Sequence, residues 1–137
     1  WVARRNGSIF VTGNTGTGKT SLAIVSTLYH LYLLSCLKNP QGWYGFPKST
    51  SIVFALMGAK PRVVSKVIYL PMRKLVESMP YFQKHLRPDR LIESEMYFPE
   101  KNIRVAQSGG DEDAILGEAI IGGVIDEINK LGKFRWW

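Results

Sequence analysis

The chain has 137 residues, of which 45% are hydrophobic and 12% aromatic, and this composition is typical of one packed domain and excludes a disordered chain. Its 18 Lys and Arg residues outnumber its 11 Asp and Glu residues, and the resulting formal charge of +7 favours a polyanionic partner, with a merely basic soluble domain as the alternative. The single cysteine, Cys36, excludes a disulfide within the chain. The sequence has neither a secretory signal pattern nor an uncharged apolar run of about 18 residues. We therefore expect a cytosolic protein that does not enter a membrane.

A strand, a glycine-rich loop and a helix are predicted in direct succession at the start of the chain. Residues 8–12 form a β-branched and aromatic run, which predicts a buried strand, and residues 19–38 contain neither Gly nor Pro, which predicts a long helix. Between them, residues 13–20 fit the phosphate-binding pattern G-x-x-x-x-G-K-[ST] at every fixed position. An incidental turn rich in Gly and Thr is the alternative.

The chemistry of this pattern assigns a role to each group. Backbone N–H groups of a glycine-rich loop point inward and cradle the phosphate oxygens of a nucleotide, and the helix that follows presents its positive dipole end to the same anion. Lys19 would reach the β- and γ-phosphates of ATP and act in catalysis, and the Thr20 hydroxyl would ligate Mg²⁺. The predicted nucleotide-binding residues are Gly13, Asn14, Thr15, Gly16, Thr17, Gly18, Lys19, Thr20 and Ser21.

The predicted helix carries apolar residues on more than one face. One series, spaced three or four residues apart, consists of Leu22, Val25, Tyr29, Tyr32, Leu33 and Cys36, and other faces carry Ala23, Ile24, Leu28, Leu31 and Leu34. We therefore expect burial on more than one side, with Cys36 as a small core residue. Residues 39–42 end the helix because they contain a proline and a glycine. In the following loop, Trp43, Tyr44 and Phe46 either stack on a base or cover the edge of the core.

The middle of the chain predicts a buried strand, a helical segment and a hairpin. Residues 51–57 are almost continuously apolar, as in a strand buried on both faces of a parallel sheet. Residues 60–79 follow helical spacing, and Pro71 is expected to kink or split the helix. Residues 91–98 and 103–105 are predicted to pair across a polar turn that contains a proline. The cations of the helical segment, which form either a solvated face or a surface that contacts nucleic acid, are Arg62, Lys66, Arg73 and Lys74.

A second motif lies near the end of the chain. Residues 119–127 form an apolar run that ends in two acids, as in the NTPase strand that emerges beside the phosphate loop. Asp126 would bind Mg²⁺ together with Thr20, directly or through water, and Glu127 would polarise the water that attacks the γ-phosphate. A Glu that starts a helix is the alternative for Glu127. Two adjacent glycines at 122–123 make the strand assignment less typical.

Together these motifs predict one α/β domain over residues 1–137. Its class is that of the P-loop NTPases with a catalytic Glu next to the Mg²⁺-binding Asp (ASCE type), in which a mostly parallel central sheet is flanked by helices. We expect the domain to be partial, with the fold truncated on its C-terminal side.

The order of these motifs resembles the ATPase domain of the large terminase subunit of tailed bacteriophages. The resemblance rests on the phosphate loop, the end of the long helix at residues 34–41, the Ser-Met-Pro-Tyr-Phe segment at 78–82 and the segment 122–129 that contains Asp-Glu-Ile-Asn. It implies a homo-oligomeric ring that docks on a viral portal protein in the host cell cytoplasm, hydrolyses ATP and drives double-stranded DNA into the procapsid. It also implies a small terminase subunit as a partner and a separate metal-dependent nuclease domain that residues 1–137 do not contain.

Three arginines are candidates for the group that stabilises transition-state charge in such motors: Arg4, Arg5 and Arg104. Two other functions stay open. A helicase-like DNA translocase would share both nucleotide motifs, but such enzymes generally have His or Asp at the position of Asn129. A non-catalytic module would bind ATP only to hold a shape. Because ring motors often complete their sites with a neighbour's residues, we expect weak turnover from an isolated chain.

Overall fold

The computed structural model of the chain describes residues 7–14, 16–108 and 117–127. Within these residues, five α-helices flank a sheet of four strands. All strand pairs of the sheet but one are parallel, so the predicted α/β class with a mostly parallel sheet is confirmed. In the described part of the chain, no helix is both long enough and apolar enough to cross a membrane.

The central strand of the sheet is β1 (Ile52–Gly58), and all seven of its residues are buried. It pairs in parallel with β3 (Ile103–Ser108) on one side and with β4 (Ala119–Asp126) on the other. A short strand, β2 (Met96–Phe98), pairs antiparallel with β3, and the order across the sheet is β2-β3-β1-β4. The continuously apolar run in the sequence therefore forms a strand that is covered on both faces, as predicted.

The predicted hairpin is present, but its first strand is shorter than the apolar pattern indicates. Pairing begins only at Met96, and Leu91 is 91% exposed. The backbone N–H of Leu91 donates to Oδ1 of Asp89, so a local side-chain turn occupies the donor that a strand ladder would need. At the other end of the hairpin, Asn102 adopts a left-handed backbone conformation, which asparagine tolerates in a turn.

The long helix predicted after the glycine-rich loop is α1 (Lys19–Cys36). It packs on the core through one face, whose buried residues are Ile24, Thr27, Leu28, Leu31 and Leu34. The prediction of burial on several sides is wrong for the described residues, because Val25 and Tyr29 on the outer face are 61% and 55% exposed. Cys36 is exposed rather than in the core, and its Sγ lies 3.7 Å from the hydroxyl of Tyr81.

A short helix, α2 (Pro40–Trp43), follows α1, and the side chain of Asn39 caps it by accepting a hydrogen bond from the backbone N–H of Gly42. The next helical segment consists of α3 (Pro61–Val64), a single π-helical turn (Ser65–Tyr69) and α4 (Leu70–Ser78).

The predicted split of the segment 61–78 near Pro71 agrees with the structure, in which α3, a π-helical turn and α4 follow one another. The backbone N–H of Leu70 donates to the carbonyl of Ser65, five residues back, so the wide turn ends just before the proline. Pro71 therefore lies at the first positions of α4, where a missing N–H costs little. The last helix of the described chain is α5 (Pro80–His85).

Residues 7–14 do not form the predicted buried strand. Ile9 and Phe10 are 84% and 79% exposed, and this stretch pairs with no strand of the sheet. A strand is stabilised by hydrogen bonds to a neighbouring strand and by burial. β4 is an edge strand of the described sheet and pairs only with β1, so residues 7–14 do not have these hydrogen bonds. The β-branched and aromatic composition is therefore not sufficient to place the segment in the sheet.

Gly122 and Gly123 lie inside β4, although glycine is unusual in a strand interior. The register between β1 and β4 shifts between Val53 and Phe54, so the pairing is irregular at this point. A Cβ on Gly122 would lie 3.1 Å from Cε1 of Phe54, and a Cβ on Gly123 would collide with the carbonyl oxygen of Ala55. The two glycines therefore allow β4 to approach β1 closely.

Candidate nucleotide-binding site

The glycine-rich loop turns through backbone conformations that favour glycine. Gly16 and Gly18 have φ values of 86° and 80°, in the left-handed region. The hydroxyl of Thr17 donates to the carbonyl of Asn14 over 2.9 Å, which closes the loop on itself. A Cβ at either Gly16 or Gly18 would meet no atom within 4 Å, so both glycines face open space and are required by the fold of the loop rather than by crowding.

Lys19 folds back over the loop that precedes it. Its Nζ donates to the carbonyl oxygens of Gly13 and Asn14, each over 2.7 Å, and lies 3.3 Å from Oγ1 of Thr17. These acceptors are exposed, so the ammonium group is held at the mouth of the loop rather than in the core. A phosphate oxygen that entered the loop would compete with the two carbonyls for this charge, and the charged hydrogen bond to an anion is the stronger one.

The N-terminus of α1 is open toward the loop. Gly18 provides the N-cap position without a side-chain hydrogen bond, and the first turn contains no acidic residue. The first N–H groups of an α-helix have no acceptor within the helix, and its N-terminus carries a partial positive charge. Thr20 and Ser21 lie in this first turn, with Thr20 half-buried and Ser21 exposed. The arrangement fits an anion that is bound by backbone N–H groups.

The acidic pair lies at the carboxyl end of β4. Asp126 is the last residue of the strand, is half-buried and is aligned with Gly58 at the end of β1. Glu127 follows directly, is exposed, and has a left-handed backbone conformation with φ of 51°. Such a conformation is uncommon for Glu and costs about 1–3 kcal/mol, and strained residues of this kind cluster at functional sites. The two carboxylates therefore leave the sheet at one edge, as the sequence predicted.

One open cavity of about 1280 Å³ brings the two motifs together. Lys19 and Thr20 line it from the loop and the first turn of α1, and Asp126 and Glu127 line it from the end of β4. Ligand pockets usually occupy about 300–1,000 Å³, so the cavity is larger than a nucleotide requires. It extends along α1 as far as Trp43, and only the end near the loop carries the charged groups expected for a phosphate site.

The residues present fit a bound Mg²⁺. The Thr20 hydroxyl and the Asp126 carboxylate are hard oxygen ligands, and both line the same cavity. Mg²⁺ is usually held by one or two carboxylates together with water and substrate phosphates. When bound, Mg²⁺ would neutralise charge on the β- and γ-phosphates.

Gly58 lies at the end of β1, where it is aligned with Asp126. A Cβ at Gly58 would collide with Cγ2 of Val64 and would lie 3.6 Å from the carbonyl oxygen of Asp126. The absence of a side chain therefore lets α3 pack closely where β1 and β4 end together. The sequence signal that could have identified it is a glycine at the end of a fully apolar strand.

Of the predicted site residues, Thr15 lies outside the described part of the chain, and so do two of the arginine candidates, Arg4 and Arg5. The third arginine candidate, Arg104, is wrongly placed for the role. It is aligned with Val53 near the start of β1, about 16 Å along the sheet from the edge with the acidic pair.

Arg104 instead holds two carboxylates at the opposite end of the sheet. It forms hydrogen bonds to Glu95 at 2.7–3.1 Å and to Glu118 at 2.9 Å. Hydrogen bonding to Glu95 raises the pKa of the Arg104 guanidinium further above its usual value. The geometry is bidentate toward Glu95, which is typical of a structural ion pair.

Arg104→Gln is therefore expected to lower the free energy of unfolding by about 1–2 kcal/mol, because the ion pairs are only partly buried. Turnover per folded molecule should not change. Urea denaturation and steady-state ATP hydrolysis measured on the same preparation separate the two effects. A loss of turnover by two or more powers of ten in a fully folded variant would restore Arg104 as a catalytic group.

The aromatic residues of the loop after α1 line the far end of the cavity. α1 has 18 residues and is therefore about 27 Å long, with the phosphate loop at its start and Trp43, Tyr44 and Phe46 beyond its end. Tyr44 packs against the hydrophobic core. Covering the core edge therefore agrees with the structure for Tyr44.

Comparison with known proteins identifies a family. The family model described as "Uncharacterized protein MJ0330, N-terminal P-loop domain" matches residues 2–134, which is nearly the entire chain. No curated protein and no solved structure matches the sequence significantly. The family description names a P-loop domain, and the matched residues include the glycine-rich loop that precedes α1. The chain belongs to the family of MJ0330-type N-terminal P-loop domains.

Proposed function

We propose that the protein binds ATP with Mg²⁺, hydrolyses it, and uses the reaction to move double-stranded DNA. The observation that carries the proposal is the single cavity lined by Lys19 and Thr20 on one side and by Asp126 and Glu127 on the other. A nucleotide-binding module without catalysis would need the loop but not a carboxylate beyond the metal ligand. The second acid and its left-handed backbone favour an enzyme.

Each group has a distinct role in the proposed reaction. The N–H groups of the loop and of the first turn of α1 bind the phosphates, and Lys19 neutralises charge at the β- and γ-positions. Thr20 and Asp126 would hold Mg²⁺. Glu127 accepts a hydrogen bond from the attacking water and takes its proton as the bond to phosphorus forms. The leaving group is the β-phosphate oxygen of ADP.

DNA packaging is the specific form of work that we propose, in a motor like that of the terminase large subunit. The support is the order of motifs in the sequence, the formal charge of +7 and the exposed cations Arg62, Lys66 and Lys74 on the helical segment 61–78. In this proposal the protein acts as a homo-oligomeric ring in the host cell cytoplasm, where it contacts the portal protein and the small terminase subunit.

The proposal is tested by steady-state ATP hydrolysis with and without long linear double-stranded DNA, at protein concentrations high enough to favour assembly. We expect Mg²⁺-dependent phosphate release that DNA duplex stimulates several-fold. Stimulation by single-stranded but not by double-stranded DNA would indicate a helicase-like translocase. ATP binding without hydrolysis under every condition would indicate a nucleotide-binding module and would contradict the proposal.

A further inference from the structure

The helical segment after β1 presents a row of cations to solvent. We call it the cationic stripe and define it as Arg62, Lys66 and Lys74, all of which are exposed. None of the three forms an ion pair with a residue that the structure describes. The segment 61–78 contains one acidic residue, Glu77, and this residue pairs with Arg73 rather than with a residue of the stripe.

Arg73, one position before Lys74, is a cation of the same segment whose hydrogen bonds give it a structural role. Its guanidinium donates to Glu77 over 2.9 Å, to the hydroxyl of Tyr69 over 3.1 Å and to the carbonyl of Ile92 over 2.8 Å. It therefore fastens α4 to the loop before β2. The stripe residues have no comparable contacts in the described chain, so the fold does not explain their charge.

The π-helical turn places the three stripe residues on one face of the helical segment. On a regular α-helix each residue advances by about 100°, so Lys66 and Lys74, eight positions apart, would point about 80° away from each other. The wide turn at Ser65–Tyr69 adds about one extra residue to the helix, which returns Lys74 to within about 20° of Lys66. Arg62 lies one turn before Lys66 at about 40°. The three charges therefore form one row about 17 Å long.

The row starts beside the candidate site. β1 ends at Gly58, which is aligned with Asp126, and α3 begins at Pro61, only three residues later. Arg62 is thus within a few residues of the sheet edge that carries both acids. A ligand bound along the stripe would lie close to the nucleotide, where hydrolysis could alter its contacts.

We propose that the cationic stripe binds the phosphate backbone of double-stranded DNA, an inference that rests on the proposed function. A duplex presents one negative charge per about 1.7 Å of its axis, so a row of this length faces several phosphates. Contacts of this kind position a protein without reading sequence, as a motor that moves along any DNA requires.

The test compares two triple variants that remove the same charge. Arg62→Gln, Lys66→Gln and Lys74→Gln are combined in one protein. The control combines Lys38→Gln, Lys48→Gln and Lys84→Gln, which are exposed cations on other elements. Fluorescence anisotropy with a labelled 30-base-pair duplex gives the binding constant over a range of salt concentrations. The slope of log K against log salt is about −0.9 per phosphate contact, so the stripe variant should lose about 2 to 3 units of slope and the control less than about 1.

Three results would overturn the inference. Equal slopes for the two variants would show that only net charge matters. An unchanged slope for the stripe variant would place the DNA elsewhere. Loss of self-association in sedimentation, with DNA binding intact, would assign the stripe to a protein contact. Failure of the proposed function has a different signature, because the wild-type protein would then bind no duplex or show no DNA-stimulated hydrolysis. Basal hydrolysis should be equal in all three proteins.

Discussion

Glu127→Gln is expected to reduce ATP hydrolysis by a factor of about 10² to 10⁴ while ATP binding changes little. The amide has nearly the same size as the carboxylate, but it cannot take a proton from the attacking water. The side chain leaves the sheet next to Asp126 and lines the cavity with Lys19, so its removal as a base should affect the chemical step alone. Single-turnover hydrolysis and equilibrium binding of ATP measure the two quantities separately.

The matched control for this variant is Glu100→Gln, which changes an exposed glutamate in the hairpin turn. It should leave both binding and hydrolysis at wild-type levels. Retained turnover in Glu127→Gln would remove this residue as the activating group, and loss of ATP binding together with hydrolysis would mean that Glu127 supports the structure of the site instead.

Lys19→Ala is expected to weaken ATP binding by about 100-fold or more. Charge-assisted hydrogen bonds contribute about 1.5–3 kcal/mol each, and about 1.4 kcal/mol corresponds to a factor of ten in affinity. Part of this gain is offset in the wild-type protein because Lys19 must first release the carbonyls of Gly13 and Asn14. Isothermal titration with ATP in Mg²⁺ measures the change.

Two controls distinguish the loss of the phosphate contact from a collapse of the loop. Lys38→Ala removes a lysine just beyond the other end of α1 and should bind ATP like the wild type. Far-UV circular dichroism and thermal unfolding of Lys19→Ala should match the wild type, because the lysine is not part of the core. Wild-type affinity in a folded Lys19→Ala protein would contradict the assignment of the phosphate loop.

Local sequence patterns predicted those parts of the fold that depend on neighbouring residues. The glycine-rich loop and the start of α1 follow from a short pattern, and the buried strand β1 follows from an unbroken apolar run. The position of Asp126 at the end of β4 follows from the same kind of run, even with two glycines inside it. The sequence alone therefore predicts which segments of the chain contribute to the candidate site.

The errors concern features that depend on distant parts of the chain. Residues 8–12 have the composition of a strand, but a strand needs a neighbour that local composition cannot supply. Tyr29 has helical spacing like that of a core residue, yet α1 buries a different face. The structural role of Arg104 could not be predicted, because its partners Glu95 and Glu118 are 9 and 14 positions away and cannot be identified before the sheet is known.

Magnesium dependence of ATP binding tests the central claim most directly, because that claim joins Thr20 and Asp126 from two distant segments in one site. The measurement is an equilibrium titration with ATP in the presence of Mg²⁺ and, separately, of EDTA, on the wild type and on Asp126→Asn. We expect Mg²⁺ to tighten binding by about ten-fold or more in the wild type, and this dependence to be largely lost in the variant. Equal affinities with and without Mg²⁺ in the wild type, or full Mg²⁺ dependence in Asp126→Asn, would contradict the account.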